Sequence, residues 1–229
     1  MRRRVGRTAL LLIAAFLPLA ESSAGGKTGP APPKAESELP PVVLVPGIWD
    51  NASVFDRMAA RLEGAGLRPL AITLKPNDGS VPLEQSADEL ERFIDERLGT
   101  AQSLSIVAFS MGGLIARYYA QRLGGLARIA HFVTISSPHH GTGTAWLESV
   151  PGVLEMRPGS PFLRDLDQDA DRLAGISCTW IWSPLDIVIT PAESSRMPFG
   201  RDVQIPVLLH PLMPGDERVI EAVISALES

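Results

Sequence analysis

The segment SLSIVAFSMGGLIAR, Ser103 to Arg117, constrains the fold more tightly than any other part of the chain. An apolar run from Leu104 to Phe109 stops at Ser110-Met111-Gly112-Gly113, and Leu114, Ile115, Tyr118 and Tyr119 then resume at helical spacing. A buried strand that turns straight into a helix puts the turning residue in strained φ/ψ values. It also requires small residues two positions away on each side, because strand and helix nearly touch there. Ala108 and Gly112 hold those positions, so the segment reads Ala-x-Ser-x-Gly, the nucleophile-elbow pattern with Ala for the first Gly. Such a turn lifts the Ser110 hydroxyl clear of the backbone at a helix N-terminus, where free N–H groups favour developing negative charge. A serine that merely caps a helix would carry the same letters. The strand before it and the helix after it favour the elbow.

The remaining chain alternates strand and helix patterns. Val42–Val45 reads as a strand buried on both faces and runs into the loop Pro46-Gly47-Ile48-Trp49-Asp50-Asn51. A helix from Ser53 shows Val54, Met58 and Leu62 on one face, and Leu67–Leu74 reads as the next strand. Leu83, Ala87, Leu90, Ile94 and Leu98 mark a second helix, beginning at Ser80 or at Val81-Pro82 and ending at Gly99. Ile129–Ser136, Cys178–Trp182 and Val203–Leu209 read as further strands, and Glu217–Leu227 as a last helix. This alternation predicts an α/β fold, a mostly parallel central sheet with helices on both faces. Between about 144 and 173 the rhythm breaks into an apolar but proline-rich stretch, expected to form a short cap or lid over the site.

The N-terminus carries a different signal. Arg2, Arg3, Arg4 and Arg7 precede an apolar run from Ala9 to Ala20, and Ser22-Ser23-Ala24 supplies small residues for cleavage, as in a secretory signal peptide. Residues 25–41, rich in Pro, Gly, Ala, Lys and Glu, read as a flexible linker, so the folded domain is expected over 42–229 and its location as secreted or periplasmic. Removal of residues 1–24 takes away four arginines and one glutamate, leaving 17 basic against 25 acidic side chains and a net charge of −8. That balance argues against a nucleic-acid partner. The single cysteine, Cys178, cannot form an internal disulfide and reads as a small buried core residue.

A serine hydroxyl is a weak nucleophile until a base takes its proton, and that base is usually a histidine oriented by a carboxylate. In folds built around this elbow, the chain order is Ser, acid, His. Of the four histidines, His131 lies within a strand, and His139 and His140 precede most of the candidate acids; only His210 follows a strand late in the chain. Asp186 stands just past the end of Cys178–Trp182, whereas Asp165 to Asp171 reads as a solvated helix face and Asp202 sits at the wrong end of its strand. The candidate triad is therefore Ser110, Asp186 and His210. Backbone N–H groups of Met111 and Ile48 are the expected oxyanion donors. The tandem His139-His140 has no Cys or carboxylate at ligand spacing, so no metal is expected there and a loop wall bordering the site is preferred.

Val45-Pro46-Gly47-Ile48, Ala108-Phe109-Ser110-Met111-Gly112-Gly113, Ser137-Pro138-His139-His140-Gly141-Thr142, Pro184-Leu185-Asp186-Ile187-Val188 and His210 together resemble the motif set of small bacterial lipases and esterases of the α/β-hydrolase fold. The resemblance spans about Val42 to Leu227. Many such relatives have His-Gly where this chain has Pro46-Gly47, which bears on a side chain at position 46 but not on a backbone donor. The resemblance implies hydrolysis of acyl esters or lipids through an acyl-enzyme, with no cofactor and a transient contact with a lipid interface. Calcium, known in some relatives, finds no ligand cluster in this sequence. Trp49, Phe109, Trp146, Phe162 and Leu212 are candidates to line an acyl site, and each could equally be core. A thioesterase, acyltransferase or amidase would use the same triad, and a non-catalytic binding protein would keep the fold without it.

Overall fold

The computed structural model describes residues 40–229. The expected signal peptide and almost all of the expected linker lie outside the described residues. Strand β1 (Pro41–Val45) starts one residue before the expected domain boundary. With β2 (Arg68–Ala71), β3 (Leu104–Phe109), β4 (Ile129–Ile135), β5 (Ser177–Trp182) and β6 (Arg201–Gln204) it forms one parallel sheet in the order β2-β1-β3-β4-β5-β6. The order reverses between β1 and β3. The crevice beyond the carboxyl ends of those two strands is where open α/β sheets bind ligands.

Successive residues of a strand face opposite sides, and here both sides are covered. Val43, Val45, Ile106 and Ala108 pack toward α2 (Leu83–Leu98) and α3 (Met111–Arg122). Val42, Leu44, Val107 and Phe109 pack toward α1 (Asp56–Gly64) and α6 (Glu217–Leu227). The helices form as their apolar spacing requires: Leu83, Ala87, Leu90, Ile94 and Leu98 bury one stripe of α2, and Gly99, at φ 66°, ends it. Asp216 caps α6 by accepting the Arg218 N–H.

Two strands are shorter than their apolar runs. β2 is an edge strand registered only with β1, and the expected Leu67–Leu74 strand shrinks to the four residues that find partners there. The expected Val203–Leu209 strand is Arg201–Gln204, paired with Thr179–Trp182 of β5. Beyond it Ile205 donates to the Trp182 carbonyl, and the Ser183 hydroxyl both accepts the Val207 N–H and donates to the Val207 carbonyl. These bonds draw the chain out of the ladder toward His210.

The segment at 144–173 contains α4 (Pro151–Glu155), α5 (Pro161–Asp167) and 3₁₀ turns at Gly143–Trp146 and Ala170–Gly175. It is fastened to α3 by buried polar bonds. Arg117 is fully buried, with Nε donating to Gln121 Oε1, Nη1 to the His139 carbonyl, and Nη2 to the Leu166 carbonyl and Asp167. Burial pulls its guanidinium pKa down, and the Asp167 hydrogen bond and charge act against that. Arg122 holds Asp165 and Asp169. Of the aspartates expected to be a solvated face, Asp165, Asp167 and Asp169 therefore pair with arginines of the elbow helix, which local spacing does not reveal, while Asp171 is exposed.

Arg117→Met is expected to lower the unfolding free energy by about 3 kcal/mol, because the buried His139 and Leu166 carbonyls lose their donors. Asp167→Ala, whose side chain is partly solvated, is expected to cost about 1 kcal/mol or less. Urea denaturation midpoints measure both.

Candidate active site

Ser110 sits between β3 and α3 with φ 53° and ψ −125°, a conformation sparsely populated by side-chain-bearing residues. Its N–H still donates to the Ile135 carbonyl, so the strain falls at the last position tied to the sheet. The requirement for a small residue at 112 comes from the neighbouring strand. A Cβ on Gly112 would lie 2.5 Å from the Val45 carbonyl oxygen and would also strike the Pro46 carbonyl. A Cβ on Gly47 would lie 3.1 Å from the Ser110 Cβ. The loop after β1 thus lies directly against the serine.

The structure brings Ser110, His210 and Asp186 into one chain of hydrogen bonds. His210 Nδ1 is 2.7 Å from Asp186 Oδ2, and His210 Nε2 is 2.9 Å from Ser110 Oγ. An ionised carboxylate only accepts, so Nδ1 carries the proton and Nε2 is left to accept the serine hydroxyl. All three side chains are buried. Burial pushes the Asp186 carboxyl up. The His210 hydrogen bond and charge and the Ile189 and Val188 N–H groups on Oδ1 outweigh it, and the group stays below the usual carboxylate range. The Phe109 ring backs the imidazole at 4.8 Å between centroids. Ser183 accepts the Leu185 and Val207 N–H groups and so ties the Asp186 loop to the His210 loop. Its hydroxyl is a positioning group that sequence reasoning missed.

Met111 is the first residue of α3, where an N–H has no partner within the helix. Ile48 makes no backbone N–H bond to the protein among the described residues, while the next N–H, Trp49, donates to the Asn77 carbonyl at 2.6 Å. Two donors are thus left on either side of the serine. Asp50 closes the same loop. Burial raises its carboxyl pKa, and a charge on His210 would act against that.

A cavity of about 340 Å³ opens at Ser110. Its walls are Ile48 and Trp49, Thr142 to Ala145, Leu147 and Glu148, Val153 and Met156, and Ile187 to Ile189, with Gly143 not among them. Of the five expected lining side chains only Trp49 is found there, 67% exposed at the rim. Phe109 faces the α1–α6 layer because it alternates with Ala108, and it supports His210. Trp146 is 63% exposed and lies over the Arg157 guanidinium, 4.4 Å from its ring centroid. Phe162 is buried against Tyr118. Leu212 borders a separate groove with Val54, Leu208 and Pro211. The missed apolar walls had a signal in the sequence: Ile187 to Ile189 directly follow Asp186, and Val153 and Met156 sit in the insertion.

His139 is not a wall of this cavity. It is fully buried, edge-on to Trp180 and 3.0 Å from Thr134 Oγ1. Burial first, then the charges of Arg117 and His140, hold its pKa well below the ordinary value. His131 bridges Ser105 and the chain terminus at Ser229. Cys178 is buried, and its thiol is pushed up to about 12 by that burial. Among the described residues no helix is long and apolar enough to cross a membrane.

The sequence model of a family described as palmitoyl protein thioesterase matches residues 41–157. Among curated proteins none matches the sequence. In three dimensions the chain is similar to Aspergillus fumigatus lipase B, with TM-score 0.72 and 16% identity over 85% of this chain and 54% of that one. It therefore spans about half the length of the fungal lipase. The mature Bacillus licheniformis lipase BlEst2 gives TM-score 0.64 and 17% identity, over 87% of this chain and 94% of that one. At such identity these likenesses establish the fold, a mostly parallel α/β-hydrolase sheet with helices on both faces.

Gly112→Ala is expected to destabilise the protein by about 2 kcal/mol or more, since the obstacles are backbone carbonyls that cannot rotate away. Chemical denaturation compared with Gly64→Ala, where an added Cβ meets nothing within 4 Å, measures the difference.

Proposed function

The chain belongs to the palmitoyl protein thioesterase family, and we propose that it hydrolyses acyl esters through a Ser110–His210–Asp186 triad. The observation that carries this reading is the unbroken hydrogen-bond chain from Asp186 through His210 to Ser110 beside an apolar cavity. In this mechanism an acyl chain enters the cavity and places its carbonyl carbon at Ser110 Oγ. His210 Nε2 takes the hydroxyl proton as Oγ attacks, and Asp186 stabilises the imidazolium that forms. The Ile48 and Met111 N–H groups hold the negative oxygen of the tetrahedral intermediate. His210 then gives the proton to the leaving group, leaving an acyl-enzyme on Ser110, and water repeats the sequence to release the acid.

The family description favours a second reading in which the leaving group is a thiolate. The same residues act, and only the second half of the substrate differs. The expected substrates are thus acyl esters or thioesters with an apolar acyl part, acted on outside the cytoplasm after removal of residues 1–24. A transient contact with a lipid interface fits the exposed Trp49, Leu147 and Ile187 around the cavity.

Ser110→Ala is expected to reduce p-nitrophenyl ester turnover by about 10⁴-fold or more while the protein stays folded, and to lose labelling by a fluorophosphonate probe. Asp186→Asn is expected to lower kcat by about 10⁴-fold, because the wrong histidine tautomer is then favoured. Full turnover by Ser110→Ala would remove the triad from the mechanism. Relative kcat/KM for octanoyl ester and octanoyl thioester separates the two readings.

A further inference from the structure

Helix α4 and the residue that ends it supply Val153 and Met156 to the cavity wall, and the last side chain of the helix, Glu155, reaches the body of the protein. Glu155 Oε2 accepts the Leu83 N–H at 2.6 Å. That N–H is the first of α2, whose N-cap is Pro82 and provides no side-chain acceptor. A carboxyl group from another helix therefore caps α2. The second group at the joint is also a carboxyl, Glu84, in the first turn of α2. Its Oε2 is buried without a hydrogen-bond donor among the described residues. Two carboxyl oxygens attract each other only with a proton between them. Glu155 is pushed up to about 7, by burial above all, with the Leu83 N–H acting against it and Glu84 adding to it.

Among the described residues no cation is paired with either carboxyl. None of the ion pairs among the described residues includes Glu84 or Glu155. The charges of Glu84, Asp88 and Asp165 act together on Tyr118 of α3, against that of Arg122, which holds Asp165 of α5. Arg157, two residues after Glu155, turns away to the Ala145 and Glu148 carbonyls and the Trp146 ring. Ser160, which caps α5, donates to the Glu155 main-chain carbonyl and not to its carboxyl.

We propose that the Glu84–Glu155 pair positions the inner wall of the acyl cavity, holding α4 on α2 through one shared proton and releasing it when that proton leaves. This rests on the reading of the cavity as the acyl site. Glu155 touches no reacting atom and acts through Val153 and Met156. In the docked helix Glu155 keeps its proton to about 7, against an ordinary value of 4.5 once released. Between those values the docked form binds more protons, so docking weakens as pH rises through that window and levels off above it. Long acyl chains, which need the wall, lose affinity over this range, and an acetyl group does not.

The test is the ratio of KM for p-nitrophenyl octanoate to KM for p-nitrophenyl acetate between pH 5.5 and 8.5, in wild type and in Glu155→Gln. Glutamine accepts the Leu83 N–H, donates to Glu84 and does not titrate. The wild-type ratio is expected to rise by up to about thirtyfold, the linkage of the roughly 1.5 pH units between 5.5 and about 7, and the Glu155→Gln ratio to stay flat. Glu84→Gln, which removes the like charge from the other side, is expected to flatten it as well. A ratio that changes alike in wild type and both variants overturns the proposal while hydrolysis dependent on Ser110 leaves the functional reading intact. Hydrogen exchange of the Gly152–Met156 amides gives a readout without turnover. Protection in wild type relative to Glu155→Gln is expected to fall from pH 5.5 to 8.5, and equal protection at every pH overturns the proposal even if no ester is cleaved.

Discussion

The helix after Ser110 begins against the carbonyl groups that end β1, with no room for a side chain between them. Gly112 meets the Val45 and Pro46 carbonyls, and Gly47 meets Ser110 from the opposite direction. This close approach joins two things that a hydrolytic site needs in one place. It holds a serine in a strained turn at a helix N-terminus, and it lays alongside the loop of Ile48, whose N–H makes no backbone bond among the described residues. The strain is sustained because β3 is paired on both sides and buried on both faces.

Asp186 and His210 reach that point by a different device. Both stand in loops beyond the edge-ward strands β5 and β6, where no ladder specifies position. The Ser183 hydroxyl takes over from the ladder by bonding to Leu185 and Val207, and Phe109 supplies a flat apolar surface under the imidazole. Asp186 uses both oxygens, one for His210 and one for two backbone N–H groups, so its charge is stabilised despite burial. A buried carboxylate with fewer partners would take up a proton and could no longer orient the histidine.

The insertion over the cavity is held at its two ends by contrasting chemistry. At α5, Arg117 and Arg122 hold aspartates and carbonyls in a network with permanent charge on the cationic side. At α4, the joint is a pair of carboxyls that no ion pair among the described residues includes. Permanent guanidinium charge makes the first attachment insensitive to ordinary pH, whereas the second depends on a single proton. The cavity wall formed by Val153 and Met156 belongs to the end that titrates.

The alternation of buried strands with amphipathic helices, the serine at a strand-to-helix turn, and the late histidine with one acid beyond a strand end were all legible from the linear order of residues. Each depends on local periodicity or on a single steric requirement, which nearby residues express. Also legible was the break in rhythm at about 144–173, though not its contents. The lining of the cavity was not legible. Trp146 and Phe162 have the composition of a binding pocket, yet one covers an arginine at the surface and the other stacks in the core. The pairing of Asp165, Asp167 and Asp169 with arginines more than forty residues away was equally hidden. So was the true reason for glycine at 112, which is a neighbouring strand and not its own. Side-chain type and spacing determine which face of an element is buried. Which partner fills that face depends on how distant elements pack, and only the tertiary structure decides it.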